Sequence, residues 1–271
     1  MEPFSVIATN RPALCAKRLK SKAVGSKLQA LNPHVFCHES DRAAVALALC
    51  VEGLSVPIFT HTLICINGSA PFGGLRYFAM QIAQENMTTL QFGILLDDDL
   101  KVVRLISSTT MKGNGKPSWL KADTVVFISQ IKSLVKAARS GFYPYFGVGF
   151  NAGDKSGCTK ESMIRPAVTW SGFFGFFKDS PNPFDCNFTV GADGAAMGWI
   201  LNTVGERAVL RHWGLTMEFK IESKAYVKGG SRDRVGNLEE VVRRYPQLVH
   251  ISTNNKTKTP QLKWKTALGG A

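Results

Sequence analysis

Three consecutive carboxylates, Asp97, Asp98 and Asp99, follow directly on the apolar run Phe92, Gly93, Ile94, Leu95 and Leu96. Such a run reads as a strand buried on both faces, which puts the acids at its carboxyl end, where open α/β sheets bind ligands. Adjacent carboxylates repel one another, and desolvating them is costly unless a cation neutralises them. Alternate side chains of an extended segment share a face, so Asp97 and Asp99 can point together at a hard divalent cation that also holds phosphate oxygens. A solvated acidic turn is the competing reading. The buried strand before the acids and the strand-like Leu100–Ile106 after them weigh against it.

Further segments have residue types suited to phosphate or proton chemistry. Asp193, behind Gly191 and Ala192, stands where an apolar helix begins, so it is either a capping acid or a catalytic one. Lys228–Arg234 (KGGSRDR) is a basic, glycine-rich loop opening a helix, a plausible phosphate cradle through Gly229, Gly230 and Arg232. The loop Asn67–Gly74 (NGSAPFGG) opens a helix whose N–H groups can face an anion, but it lacks the spacing of a P-loop or a dinucleotide fingerprint. His212, between Arg211 and Trp213, is a candidate metal ligand, although a lone histidine is more often structural.

The elements that must position these residues alternate between strand and helix. Strands are expected at 4–9, 34–37, 62–66, 92–96 and 143–150, helices at 13–24, 41–51, 75–85, 123–139 and 195–204, and closing strands at 208–213 and 215–221. A last helix follows at 238–244. Residues 107–118 and 151–161 read as loops. The aromatic stretch Trp170–Phe177 reads mostly as core, with Gly172 and Gly175 leaving room for a ligand to approach.

At 271 residues one α/β domain over 1–250 with a basic tail, 251–271, is the default. No apolar run is long enough to span a bilayer and no signal peptide is evident, so a cytoplasmic protein is expected. The scattered cysteines fit buried thiols better than a zinc site or a disulfide frame. The 33 Lys and Arg against 20 Asp and Glu, a formal +13, favour a polyanionic partner.

Taken in order, Thr9–Pro12 (TNRP), Gly73–Ala83 (GGLRYFAMQIA), Leu95–Leu100 (LLDDDL), Trp170–Phe176, Gly191–Leu201 (GADGAAMGWIL) and Lys228–Arg234 resemble nucleotide-sugar glycosyltransferases of the GT-A fold. Their order is most similar to the TET-associated and base J-related glycosyltransferases, which in phages and related genomes put sugars on hydroxymethylated pyrimidines in DNA. The resemblance covers roughly residues 4–250 and is strongest at 73–104. It implies a mostly parallel central sheet flanked by helices, a UDP-sugar donor and a divalent cation, Mn2+ or Mg2+.

Residue by residue, it puts the metal on Asp97 and Asp99 as a D-x-D motif, with His212 beside them. It puts the donor at Thr9, Asn10, Arg11, Arg76, Asp97, Asp98, Gly229, Gly230 and Arg232, and makes Asp193 the catalytic base. Members of that group carry an acidic pair where this chain has Gly191, Ala192 and Asp193. DNA bearing hydroxymethylated pyrimidines would be the acceptor, its base extruded against Trp170 or Phe173, and the location the host cytoplasm for a phage protein. A glycan, lipid or protein acceptor, a metal-dependent nuclease and a non-catalytic nucleic-acid binder are the alternatives.

Overall fold

A computed structural model describes residues 1–63, 72–111, 117–150, 163–168, 173–186, 192–219, 231–253 and 260–265. The chain opens with β1 (Glu2–Ala8), α1 (Pro12–Lys20), α2 (Gly25–Gln29), β2 (Pro33–His38), α3 (Arg42–Val51), β3 (Ile58–His61), α4 (Phe72–Asn86) and β4 (Gln91–Asp97). A hairpin of β5 (Leu100–Met111) and β6 (Pro117–Lys121) leads to α5 (Thr124–Ser140) and β7 (Tyr145–Phe150). The remainder is β8 (Ile164–Ala167), β9 (Phe174–Phe177), α6 (Ala192–Thr203), β10 (Val209–Phe219), α7 (Ser231–Arg244), β11 (Val249–Thr253) and β12 (Pro260–Trp264).

All strands but the last two join a 10-stranded sheet in the order β3-β2-β1-β4-β9-β7-β10-β5-β6, with β8 on β10. The pairings run β1, β2, β3, β4, β6, β7 and β10 one way and β5, β8 and β9 the other. The mostly parallel sheet is therefore as expected. Helices cover both faces. Cys15, Ala16 and Leu19 of α1, Val45 and Leu49 of α3 and the stripe Phe127, Ile131, Leu134 and Val135 of α5 pack on one. Ala79, Met80 and Ala83 of α4 with Ala196, Met197 and Ile200 of α6 pack on the other. Because strand side chains alternate, β4 feeds Ile94 and Leu96 into the first core and Leu95 into the second. Helix α5 starts where Asp123 caps it, its Oδ1 accepting the Val126 N–H at 2.8 Å.

Four expected segments differ among the described residues. The third described strand is Ile58–His61, where IFTH supplies the β-branched and aromatic side chains that pair with Val35–His38; of the strand expected at 62–66, residues 62 and 63 are outside any strand and 64–66 lie outside the described residues. Residues 107–111 continue β5, their serines and threonines being acceptable in a paired strand. The two closing strands are one, β10, with a register irregularity between His212 and Thr216. Within the expected tail 251–271, residues 251–253 and 260–264 belong to the paired strands β11 and β12, and Val249 of β11 joins Ala195 and Val241 with Leu262 and Trp264 against them.

In the aromatic stretch Phe173, Phe174, Phe176 and Phe177 are core, and Trp170–Gly172 lie outside the described residues. Gly175 makes room for the buried Phe146, whose ring would meet an added Cβ at 2.2 Å, and Gly93 does the same for Phe176, also at 2.2 Å. Gly175 thus admits a neighbouring ring where room for a ligand was expected; Gly172 lies outside the described residues. Gly93→Ala is accordingly expected to cost about 1–3 kcal/mol by overpacking, read as a lower chemical-denaturation midpoint; an unchanged midpoint would contradict the packing.

Candidate active site

From β1 the chain runs outward to β2 and β3, then returns to place β4 on the other side of β1. That reversal opens a crevice at the carboxyl ends of β1 and β4, the place where open α/β sheets take ligands. Ala8 lies in register with Asp97, so the residues that follow on each strand meet. The Thr9 hydroxyl donates to Asp98 Oδ2 at 2.5 Å and itself accepts the Arg11 N–H at 2.9 Å. Arg11 donates from Nε to Asp98 Oδ2 at 3.3 Å and from its second guanidinium nitrogen to Oδ1. Asp98 is only 5% exposed. It is a paired charge pointing towards the α1 side, and removing a partner from such a pair costs about 3–5 kcal/mol.

Alternation sends Asp97 the other way, to the face covered by α4 and α6. There Arg76 of α4 donates to Asp97 Oδ1 at 2.9 Å, and its Nε stands 4.0 Å from Asp193 Oδ1 in the first turn of α6, the outer limit of an ion pair. Arg76 is 9% exposed; the Asp97 and Asp193 side chains are 42% and 53% exposed. One buried guanidinium thus links carboxylates of β4 and α6 that both open to solvent.

The electrostatics follow from this crowding. Burial pushes the Asp99 carboxyl up to about 6, the charge of Asp97 and, less strongly, that of Asp98 add to it, and Arg11 opposes. Asp193 is also pushed up, first by the surrounding protein and then by Asp97, with Arg76 opposing. More than half of its side chain nevertheless meets solvent. Solvent around that exposed carboxylate screens the shift.

Thr9, Arg11, Arg76, Asp97, Asp98 and Asp193 are therefore brought together. Asn10 is exposed at the same edge. Gly229 and Gly230 lie outside the described residues; Arg232 falls in α7, its side chain outside them too. His212 does not join the aspartates. It shares the α5 face with Leu210, its Nε2 2.8 Å from Gln130 Oε1, whereas Asp97 projects from the opposite face. Burial lowers its pKa to about 4, the mark of a neutral core histidine. Among the described residues no three His, Cys, Asp or Glu side chains gather as a metal cluster. Phe173 is buried against Phe146 and cannot stack on an extruded base; Trp170 lies outside the described residues.

Sequence reasoning missed His38 and His61, register partners at the carboxyl ends of β2 and β3 with ring centroids 5.3 Å apart. Both close apolar runs, PHVFCH and PIFTH, and a third strand placed earlier would have exposed the pattern.

No family model matches the chain, and no characterised protein matches it in sequence. Solved structures do match in fold. Mannosyl-3-phosphoglycerate synthase from Rubrobacter xylanophilus superposes with a TM-score of 0.51 at 12% identity, over 100% of this chain and 88% of that one. Glucosyl-3-phosphoglycerate synthase from Mycobacterium tuberculosis, in complex with Mg2+ and uridine diphosphate, gives 0.48 at 11%, over 99% and 89%. The first likeness establishes the fold expected from the resemblance, a GT-A-type α/β sheet. At this level it does not single out the DNA-modifying group.

In the cation-free protein the Asp99 carboxyl is expected to titrate near pH 6. A folded pKa above the unfolded one means the protein binds this proton more tightly than the unfolded chain does. The contribution to stability is thus complete below the ordinary carboxylate range and is lost as pH rises through about 6. Carboxyl NMR should show the value falling in Asp97→Asn; an Asp99 titrating in the ordinary range with Asp97 intact would contradict the crowding.

Proposed function

We propose that this chain is a nucleotide-sugar glycosyltransferase, a hexosyl- or pentosyltransferase using a UDP-sugar and a divalent cation, Mn2+ or Mg2+. The observation that carries the reading is the meeting of Asp97, Arg76 and Asp193 in the crevice between β1 and β4. Its GT-A-type fold, shared with a mannosyl-3-phosphoglycerate synthase, supports it.

The residues fit such a cation. Asp97 and Asp99 supply hard oxygen ligands, and burial first, then the charge of Asp97, raises the Asp99 pKa, both of which a bound cation would offset. Mg2+ is commonly bound by one or two carboxylates plus substrate phosphates and waters, so a third protein ligand is not required. Bound there, it would act as a Lewis acid on the leaving diphosphate. Thr9 and Arg11 hold Asp98 and keep the two strand ends together, which fixes Asp97 and Asp99 at the rim. Arg76 anchors Asp97 and stands beside Asp193. In an inverting reaction Asp193 would accept the proton of the acceptor hydroxyl at its carboxylate.

For the acceptor, the formal +13 favours DNA carrying hydroxymethylated pyrimidines, held through its phosphates. A glycan acceptor is the second reading, favoured by an aromatic cleft beside α6. A nuclease would call for additional acidic metal ligands, and the described residues gather no such cluster.

Incubating the protein with Mn2+, a panel of UDP-sugars and hydroxymethylated DNA should give glycosylated nucleosides by mass spectrometry, and excess chelator should stop the reaction. Asp193→Asn keeps a helix-capping side chain but removes the base, so turnover should drop by about 10²–10⁴-fold with the melting temperature unchanged. Full turnover in that variant would reduce Asp193 to a helix-terminal acid, and transfer only to glycans would replace the DNA acceptor.

A further inference from the structure

A cleft of about 310 Å³ lies between α4, α6, the end of α7 and residues 182–186. Its walls include Tyr77, Trp199 and Tyr245. Each is an apolar ring with a polar tip, and among the described residues no hydrogen bond engages either tyrosine hydroxyl or the indole N–H. The charged and amide groups of the walls are already committed. Arg244 donates to Asp185 Oδ2 at 2.5 Å and to Glu240 Oε1 at 2.7 Å. Asn182 donates to the Tyr77 carbonyl at 3.0 Å and accepts the Phe184 N–H at 3.1 Å. Gly198 completes the arrangement, since an added Cβ would lie 2.2 Å from Cδ2 of Tyr245. The bare backbone lets that ring lie against α6.

A phosphate would call for an uncompensated cation, and a nucleobase for a fixed pattern of open edge groups; these walls present aromatic faces with hydroxyl and indole donors. That combination suits a neutral ring with one apolar C–H face and several hydroxyls. The volume stands at the small end of ligand pockets, about 300–1,000 Å³, and so suits a single ring. Trp199 follows Asp193 on α6 by six residues, a rise of about 9 Å, so a ring against Trp199 sits about that far along the helix from Asp193.

We propose that this cleft binds one neutral pyranose unit of a glycan acceptor, against Trp199 and Tyr245 and within reach of the Tyr77 hydroxyl. The role as acceptor rests on the glycan form of the glycosyltransferase reading; the binding itself does not. Saturation-transfer NMR with the methyl glycosides of glucose, galactose, mannose and N-acetylglucosamine tests it on the full chain. At least one glycoside should bind. Tyr77→Phe, which removes only a hydroxyl, and Trp199→Ala should each weaken it, the latter by about tenfold, while Asp97→Asn leaves it unchanged. Binding of UDP with Mn2+, measured in parallel, reads the glycosyltransferase assignment separately and should persist in both cleft variants. No transfer to any glycoside, equal binding in Tyr77→Phe and Trp199→Ala, or binding of nucleosides in place of glycosides would overturn the proposal.

Discussion

The carboxyl edge of the sheet depends on how the chain disposes of three adjacent negative charges. Asp98 is turned into the protein, where the Thr9 hydroxyl and the Arg11 guanidinium, both from the end of β1, take its two oxygens. That pairing ties β1 to β4 just where the strand order reverses. With the middle charge satisfied internally, Asp97 and Asp99 are left at the rim, and their mutual repulsion is what a cation or a substrate can relieve.

The two faces of the sheet divide the work. On the α1, α3 and α5 side the core is uninterrupted, and the histidine facing it, His212, is neutral and hydrogen-bonded to Gln130. On the α4 and α6 side the core ends at Arg76, which anchors Asp97 and lies beside Asp193. Asp97 of β4 and Asp193 of α6 are thus the carboxylates this side presents, and Arg76 of α4 stands between them. Further along α6, Trp199 and, across from it, Tyr245 line the cleft. Among the described residues no helix is long and apolar enough to cross a membrane.

Much of this is legible in the sequence, for identifiable reasons. The halt of an apolar run at Asp97–Asp99 announces the buried strand and its carboxyl end, although the strand stops at Asp97, and Asp98 and Asp99 fall in a turn. Asp123 before an amphipathic stripe locates α5 almost to the residue. What was not legible depends on contacts distant in sequence. Nothing local says that Arg76 reaches Asp193, or that Thr9 and Arg11 spend themselves on Asp98. The glycines of Trp170–Phe177 look permissive towards a ligand until Phe146 is seen against Gly175. The β5–β6 hairpin hides because serine, threonine and glycine read as loop, and β3 hides because TLICI, just after IFTH, is the more apolar run.

The account stands on the crevice between β1 and β4 being a metal-dependent donor site. Crystals soaked with Mn2+ and UDP, measured at the manganese absorption edge, test it directly. The account predicts an anomalous peak within bonding distance of Asp97 and Asp99, bridged to the diphosphate, with Asp98 still held by Thr9 and Arg11. UDP bound without a manganese peak at these aspartates, or a peak elsewhere in the molecule, would contradict it.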